Sequence, residues 1–305
     1  MNEITKSLLA MIADLKGEPD GAYNIREDSG CAGRQSTANV DIVPKKDKPG
    51  IDIIVKPGTK REKIYIPACV THSGVNDLVY NDFIIGEDAD VTIIAGCGVH
   101  SEGEEDAVHN GIHSFSVAKN ARVRYVEKHV GTGKGTGKRL INPQTYIVLD
   151  EGSYLEMDTM QIKGVDSTKR ITKAAVAAGA KVVVKEKLMT HGEQYAETAF
   201  TVDLNGEGSG ADLVSRSVAR DHSRQLFRSC INGNVACTGH SECDAIIMDQ
   251  GVVSAIPELT ANHVDAALIH EAAIGKIAGE QLIKLMTLGL TPEEAEAKII
   301  EGFLK

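Results

Sequence analysis

From Ile51 to about Pro257 the chain alternates apolar and polar residues in short runs: IDIIV, KIYIP, DFII, VTIIAG, RVRYVE, TYIVL, YLEMD, KVVVKE, AFTVDL, DLVSRS and AIIM. Alternation with a period of two marks half-buried β-strands, and segments of helical period are almost absent here. A small signature recurs among these runs: an acidic, Asn or Gly turn residue, then a small residue, then alternation. It reads Asp88-Ala89-Asp90-Val91, Asn120-Ala121-Arg122-Val123, Glu151-Gly152-Ser153-Tyr154, Ala178-Gly179-Ala180-Lys181 and Gly208-Ser209-Gly210-Ala211, about thirty residues apart. A strand-only repeat of that length predicts a stacked β-solenoid, in which each coil buries its apolar face against the next. A β-sandwich is the rival, but KVVVKE and VTIIAG read as buried on both sides at their centres, which favours the solenoid.

The flanks follow other periods. Ile4, Leu8, Leu9, Met11, Ile12 and Leu15 form a helical stripe within 2–15, with Gly17 as its stop. Residues 21–50 are turn-rich, with Pro44 and Pro49 bounding a charged loop. After Pro257 the spacing turns helical, beginning with Val264 to Ile277. Thr291-Pro292-Glu293-Glu294 reads as an N-cap, a first-turn proline and a capping box, so the last helix starts at Pro292. The expected organisation is mainly β: an N-terminal helix and loop (1–50), a solenoid core (51–260) and a C-terminal helical subdomain (261–305).

With 305 residues and 42% hydrophobic content the chain can bury a sizeable core. A net charge of −10 argues against nucleic acid or an anionic membrane as the main partner. No apolar run is long enough to cross a bilayer, and the first residues lack a secretory pattern, so the expected location is cytoplasmic. Six cysteines scattered along a long chain read as free thiols.

Two regions carry candidate chemistry. Cys243 lies in the strand-like ECDAIIM, and His270-Glu271 follows in the next element. Thiolate, imidazole and carboxylate together can bind iron or zinc; otherwise Cys243 is a small buried hydrophobe and His270-Glu271 a solvated helix pair. Cys97 follows VTIIAG and precedes Gly98-Val99-His100, a Cys-x-x-His pair with no partner pair at zinc spacing. His109 and His113 read as loop or coil-edge residues. GTGKGTGKRL fails as a phosphate loop, since Arg139 follows Lys138 where Ser or Thr is needed.

Cys243-Asp244, His270-Glu271-Ala272, Gly275-Lys276-Ile277, Glu280-Gln281-Leu282, Gly289-Leu290 and Gly302-Phe303 keep the order and spacing of one family's C-terminal core. The stretch resembles the SufB/SufD family, scaffold subunits of iron-sulfur cluster assembly, with a weaker likeness from Phe83 to Val130. The resemblance implies a right-handed parallel β-helix and a non-catalytic scaffold. It implies that Cys243, Glu271 and His270 hold a transient nascent iron-sulfur cluster, and that Cys97 accepts sulfur from a desulfurase partner. The acidic residues Glu102, Glu104, Glu105 and Asp106 would oppose ionisation of that thiol. An ABC-type ATPase is expected to dock on the C-terminal helices, with no nucleotide bound by the chain itself. Having Cys, His and Glu together suggests a compact SufB-like member, a homodimer filling both family roles. Two other readings stand beside it. One is a structural regulator of an ABC-type ATPase with inert cysteines; the other is a β-helix carbohydrate-active enzyme, which the lack of Trp and only 4% aromatics disfavour.

Overall fold

The computed structural model describes residues 2–305. Helix α1 (Glu3–Ala13) precedes β1 (Ala22–Glu27), β2 (Gly30–Gln35), β3 (Val40–Pro44), β4 (Gly50–Val55), β5 (Lys60–Val70), β6 (Asn76–Ile85), β7 (Asp90–His100) and β8 (Ala107–Val117). Then come β9 (Arg122–Thr132), β10 (Arg139–Ile141), β11 (Gln144–Leu149), β12 (Tyr154–Lys163), β13 (Ser167–Val176), β14 (Lys181–Thr190), β15 (Tyr195–Leu204) and β16 (Gly210–Ala219). The chain ends with β17 (Arg224–Gly233), β18 (Cys237–Ile247), β19 (Val252–Ala261), β20 (Ala266–Gly275), α2 (Gly279–Met286) and α3 (Pro292–Phe303).

From β4 onward, successive strands fall alternately into two sheets. One runs β2-β1-β5-β7-β9-β12-β14-β16-β18-β20; the other runs β19-β17-β15-β13-β10-β8-β6-β4-β3, with β11 continuing the β10 position. Apart from the antiparallel pairs β1–β2 and β3–β4, every pairing is parallel. The architecture is therefore a parallel β-solenoid of about eight turns, as the thirty-residue repeat predicts. Asparagine ladders record the coil length: Asn142 donates to Asn110 across 32 residues, Asn234 to Asn205 across 29 and Asn262 to Asn234 across 28.

The recurring signature marks one corner of the coil. Asp88, Asn120, Gly152, Gly179 and Gly208 all take positive φ between 56° and 69°, the left-handed region that Gly, Asn and Asp tolerate best. The next residue, Ala89, Ala121, Ser153, Ala180 or Ser209, is buried in each case, which is why it must be small. Inside, apolar rungs stack: Phe83 lies over Phe115 at 4.3 Å and 6°, with Tyr125 edge-on to both.

Asn2 caps α1, and Asp14 at φ 55° ends it, ahead of the expected stop at Gly17. Leu8, Leu9 and Ile12 are buried on the outer face of the first sheet, each contributing about 1.5–3 kcal/mol. Gly96 and Gly98 in β7 make the contact possible. A Cβ on Gly96 would lie 2.8 Å from the Lys128 carbonyl oxygen and 2.9 Å from Ile12 Cβ.

Two expectations are corrected. The turn-rich 21–50 stretch contains β1–β3, which join the sheets at their first end. Val264 to Ile277, expected as helix, contains β20, and helical structure begins only at Gly279. The Thr291 cap and its reciprocal Glu294 contact are present as predicted.

Gly96→Ala is expected to destabilise the protein by about 1–3 kcal/mol, because backbone and helix must both shift. A lowered urea midpoint would show it. Gly17→Ala, where a Cβ meets nothing within 4 Å, serves as the unchanged control.

Candidate functional site

β18 and β20 lie side by side at the end of the first sheet, with Ser241 opposite His270, Glu242 opposite Glu271 and Cys243 opposite Ala272. Alternation along each strand then decides which side chains meet. Ser241 and Cys243 point into the solenoid. His270, paired with Ser241, shares that inner face, and its buried Nδ1 has no hydrogen-bond partner. Glu271 faces outward, 67% exposed, with its carboxylate 3.7 Å from His240 Nε2. The structure thus brings Cys243 and His270 to one face and places Glu271 on the other.

Cys243 is 1% exposed and part of the main core. Burial, then the Glu186 and Asp244 carboxylates, push its thiol up to about 12. At neutral pH it is a thiol, and binding a metal there must displace the proton. The coil that carries His270 is the last, and beyond it the inner face is open. Ala255, Leu259, Ala266 and Leu268 pack on the coil below while remaining only partly buried. On the outer face of the same two strands, Val252, Ile256 and Ile269 are 46%, 46% and 57% exposed. Their strands are edge strands with unpaired backbone groups, a surface that invites pairing.

Cys97 lies deep in the solenoid on β7, between Ala68 and His129 in register. Burial and Glu127 push its thiol well above the usual range, while Arg170 pulls the other way. The opposing charge is therefore Glu127 inside the coil, not the 102–106 acidic run.

Polar side chains that sequence reasoning passed over line the interior between the two cysteines. Arg170 Nη1 donates to Glu127 Oε2 at 2.7 Å, and its Nε lies 3.7 Å from Glu186 Oε1. Tyr125 donates to Glu127 at 2.9 Å, and Thr198 and Ser215 donate to Glu186 at 2.9 and 2.8 Å. Burial opposes the charge on Glu127, yet His129 and Arg170 hold its carboxyl well below the usual range. His109 and His113, expected at a loop or edge, are buried on β8. His109 and Arg26 both hydrogen-bond Asp77, and burial pushes His113 down to about 4. Strand phase could have found the network, since Glu127 and His129 share the parity of Val123 and Tyr125.

The glycines of GTGKGTGK serve packing. Gly135 and Gly137 donate backbone hydrogen bonds to Ser101 and Gly103 in the coil below, where a Cβ would meet backbone at 2.4 Å or less.

Residues 74–303 match the family described as SUF system FeS cluster assembly, SufBD core domain. The chain belongs to the SufBD family. It is 31% identical over 262 residues to an iron-sulfur cluster assembly SufBD family protein of Methanothermobacter thermautotrophicus, covering 84% of this chain and 62% of that one. A relative of the same description from Archaeoglobus fulgidus is 30% identical over 263 residues, covering 85% and 69%. One from Methanocaldococcus jannaschii is 28% identical over 255 residues, covering 83% and 79%. The chain spans about 60% of the length of the two Methanothermobacter relatives it matches. The SufBD match includes the coils that carry Cys97, Cys243, His270 and Glu271. Among the described residues no helix is long and apolar enough to cross a membrane.

Arg170→Met would leave Glu127 and Glu186 buried without their guanidinium, at a cost of about 3–5 kcal/mol near neutral pH. In the native chain the depressed Glu127 contributes stability above the ordinary carboxylate range, lost as pH falls through its folded value. In the variant His129 still faces Glu127 but Arg170 no longer does, so burial is less well opposed, the Glu127 carboxyl is less depressed than in the native chain, and the deficit shrinks as the pH falls. Both proteins also lose stability below about pH 6.5, as unfolding frees His113 to take up a proton. Urea titrations at pH 5 and 7.5 measure the difference.

Proposed function

We propose that this chain is a non-catalytic scaffold on which a nascent iron-sulfur cluster is built and from which it is released. The observation that carries the reading is the open last coil, with Cys243 and His270 on one inner face and no further coil above them. Thiolate ligands hold cluster iron, and a nitrogen ligand makes the site more labile, which suits a cargo that must leave. Membership of an iron-sulfur assembly family gives the cargo its chemical class.

The partners follow from the same surfaces. The partly buried inner-face residues Ala255, Leu259, Ala266 and Leu268 and the unpaired edges of β19 and β20 suit pairing with a second copy, which would cover both edges and bring two Cys243 residues near one axis. Cys97 is the proposed sulfur acceptor from a desulfurase. Its thiol needs a local opening or a proton acceptor to become the thiolate that sulfur exchange requires. The buried Glu127–Arg170–Glu186 line between it and Cys243 supports assigning both thiols to one process. An ABC-type ATPase is the proposed source of work. Ile283 and Leu288 are 62% and 75% exposed, and α2 buries none of its residues, so the helical hairpin keeps an apolar face for a partner. Glu271, expected beside Cys243, acts in this reading from the outer face.

Anaerobic reconstitution with ferrous iron and sulfide tests the scaffold reading. Wild type should gain visible cluster absorbance, Cys243→Ser should lose most of it, and the His270→Ala cluster should release iron at a different rate to a chelator. Equal reconstitution in wild type and Cys243→Ser would instead favour a structural regulator with inert cysteines.

A further inference from the structure

On the outside of the last coils, a second set of donors sits back to back with the Cys243 face. Asp212 on β16, His240 and Glu242 on β18 and Glu271 on β20 all project from the outer face of the first sheet. Register fixes their neighbours: Asp212 lies opposite His240, and Glu242 lies opposite Glu271. His240 Nδ1 is 2.9 Å from Asp212 Oδ1, and its Nε2 is 3.7 Å from Glu271 Oε2. One ligand atom from each of His240, Glu242 and Glu271 lies within 4.8 Å of the others.

Two features separate this group from an ordinary acidic patch. The first is the imidazole: a carboxylate on Nδ1 fixes the ring and leaves Nε2 turned towards the other donors, the arrangement that orients histidine ligands in metal sites. The second is the placement of like charges. Glutamates directly opposite on paired strands repel, and Arg216, 3.6 Å from Glu242, answers only one of them. A cation between the two strands would answer both. Ligands about 2.1 Å from a metal sit about 3 Å apart at right angles, so the three donors need only close by side-chain rotation.

We propose that His240, Glu242 and Glu271 form a site for a divalent first-row transition cation, with Asp212 as the positioning residue. One nitrogen and two carboxylates suit iron(II), manganese(II), cobalt(II) or zinc, and not the soft copper(I) ion. The site opens to solvent, and Glu242 is the chain neighbour of Cys243, so a bound cation sits one sheet thickness from the thiol. Its identity as ferrous iron awaiting assembly rests on the scaffold reading; the existence of the site does not.

The test is titration of the metal-free, full-length chain with cobalt(II) chloride, anaerobically and without sulfide, followed by visible absorbance and calorimetry. Wild type and Cys243→Ser should each bind one cobalt with the same affinity and the same visible bands. His240→Ala and the conservative His240→Gln should lose those bands, and Asp212→Asn should weaken binding about 10- to 100-fold. Circular dichroism melts confirm that each variant is folded. The site is overturned if wild type binds no cobalt, if both His240 variants bind like wild type, or if Cys243→Ser is the variant that loses it. Because no cluster forms in this assay, failed reconstitution would sink the scaffold reading and leave the cation site standing.

Discussion

Every coil of this molecule depends on the parallel hydrogen-bond ladder that holds it in register with the next. Because pairing runs from coil to coil, each inner face is completed by its neighbours, and the ends become the places where structure must be improvised. The first end is closed by two antiparallel pairs, β1–β2 and β3–β4, that fold the chain back on itself. The last coil has no such closure. Its inner face carries His270 over Ser241, two residues along the strand from Cys243, so the unfinished end of the fold and the candidate chemistry coincide.

The same ladder makes a buried charge network tolerable. Glu127, Arg170 and Glu186 lie on three different coils and are each no more than 5% exposed. Each carboxylate keeps hydrogen bonds from Tyr125, Thr198 or Ser215 as well as its neighbour's charge. Such groups rarely add net stability over an apolar core of the same shape. They do fix which coil lies over which, because a slip by one residue would turn every one of them outward. They also surround the two thiols with carboxylates, which is why burial and charge act together to keep Cys97 and Cys243 protonated.

Much of this was legible in the residues. The turn signature gave the coil length because a positive φ followed by a buried small residue leaves few choices of amino acid. The Thr291 cap gave the start of α3 from four residues alone. Strand phase was harder to use. His270 and Glu271 are adjacent, so on a strand they must face opposite ways, whereas the Ala-rich AALIHEAAIG reads as a helix, on which neighbours can share a side. That misreading hid the separation of Glu271 from Cys243. Glu127, Arg170 and Glu186 were passed over for a related reason: a charge within an alternating run is taken as solvent-facing, although their parity matches the apolar rungs.

In the proposed homodimer a second copy of the chain completes the last coil and covers the edges of β19 and β20. Hydrogen–deuterium exchange of β19 and β20 across a wide range of protein concentration addresses this directly. Amides in these edge strands should become steadily more protected as concentration rises, while those of β14 and β15 in the middle of the stack stay constant. Exchange in β19 and β20 that is independent of concentration, whether fast or slow, would contradict it.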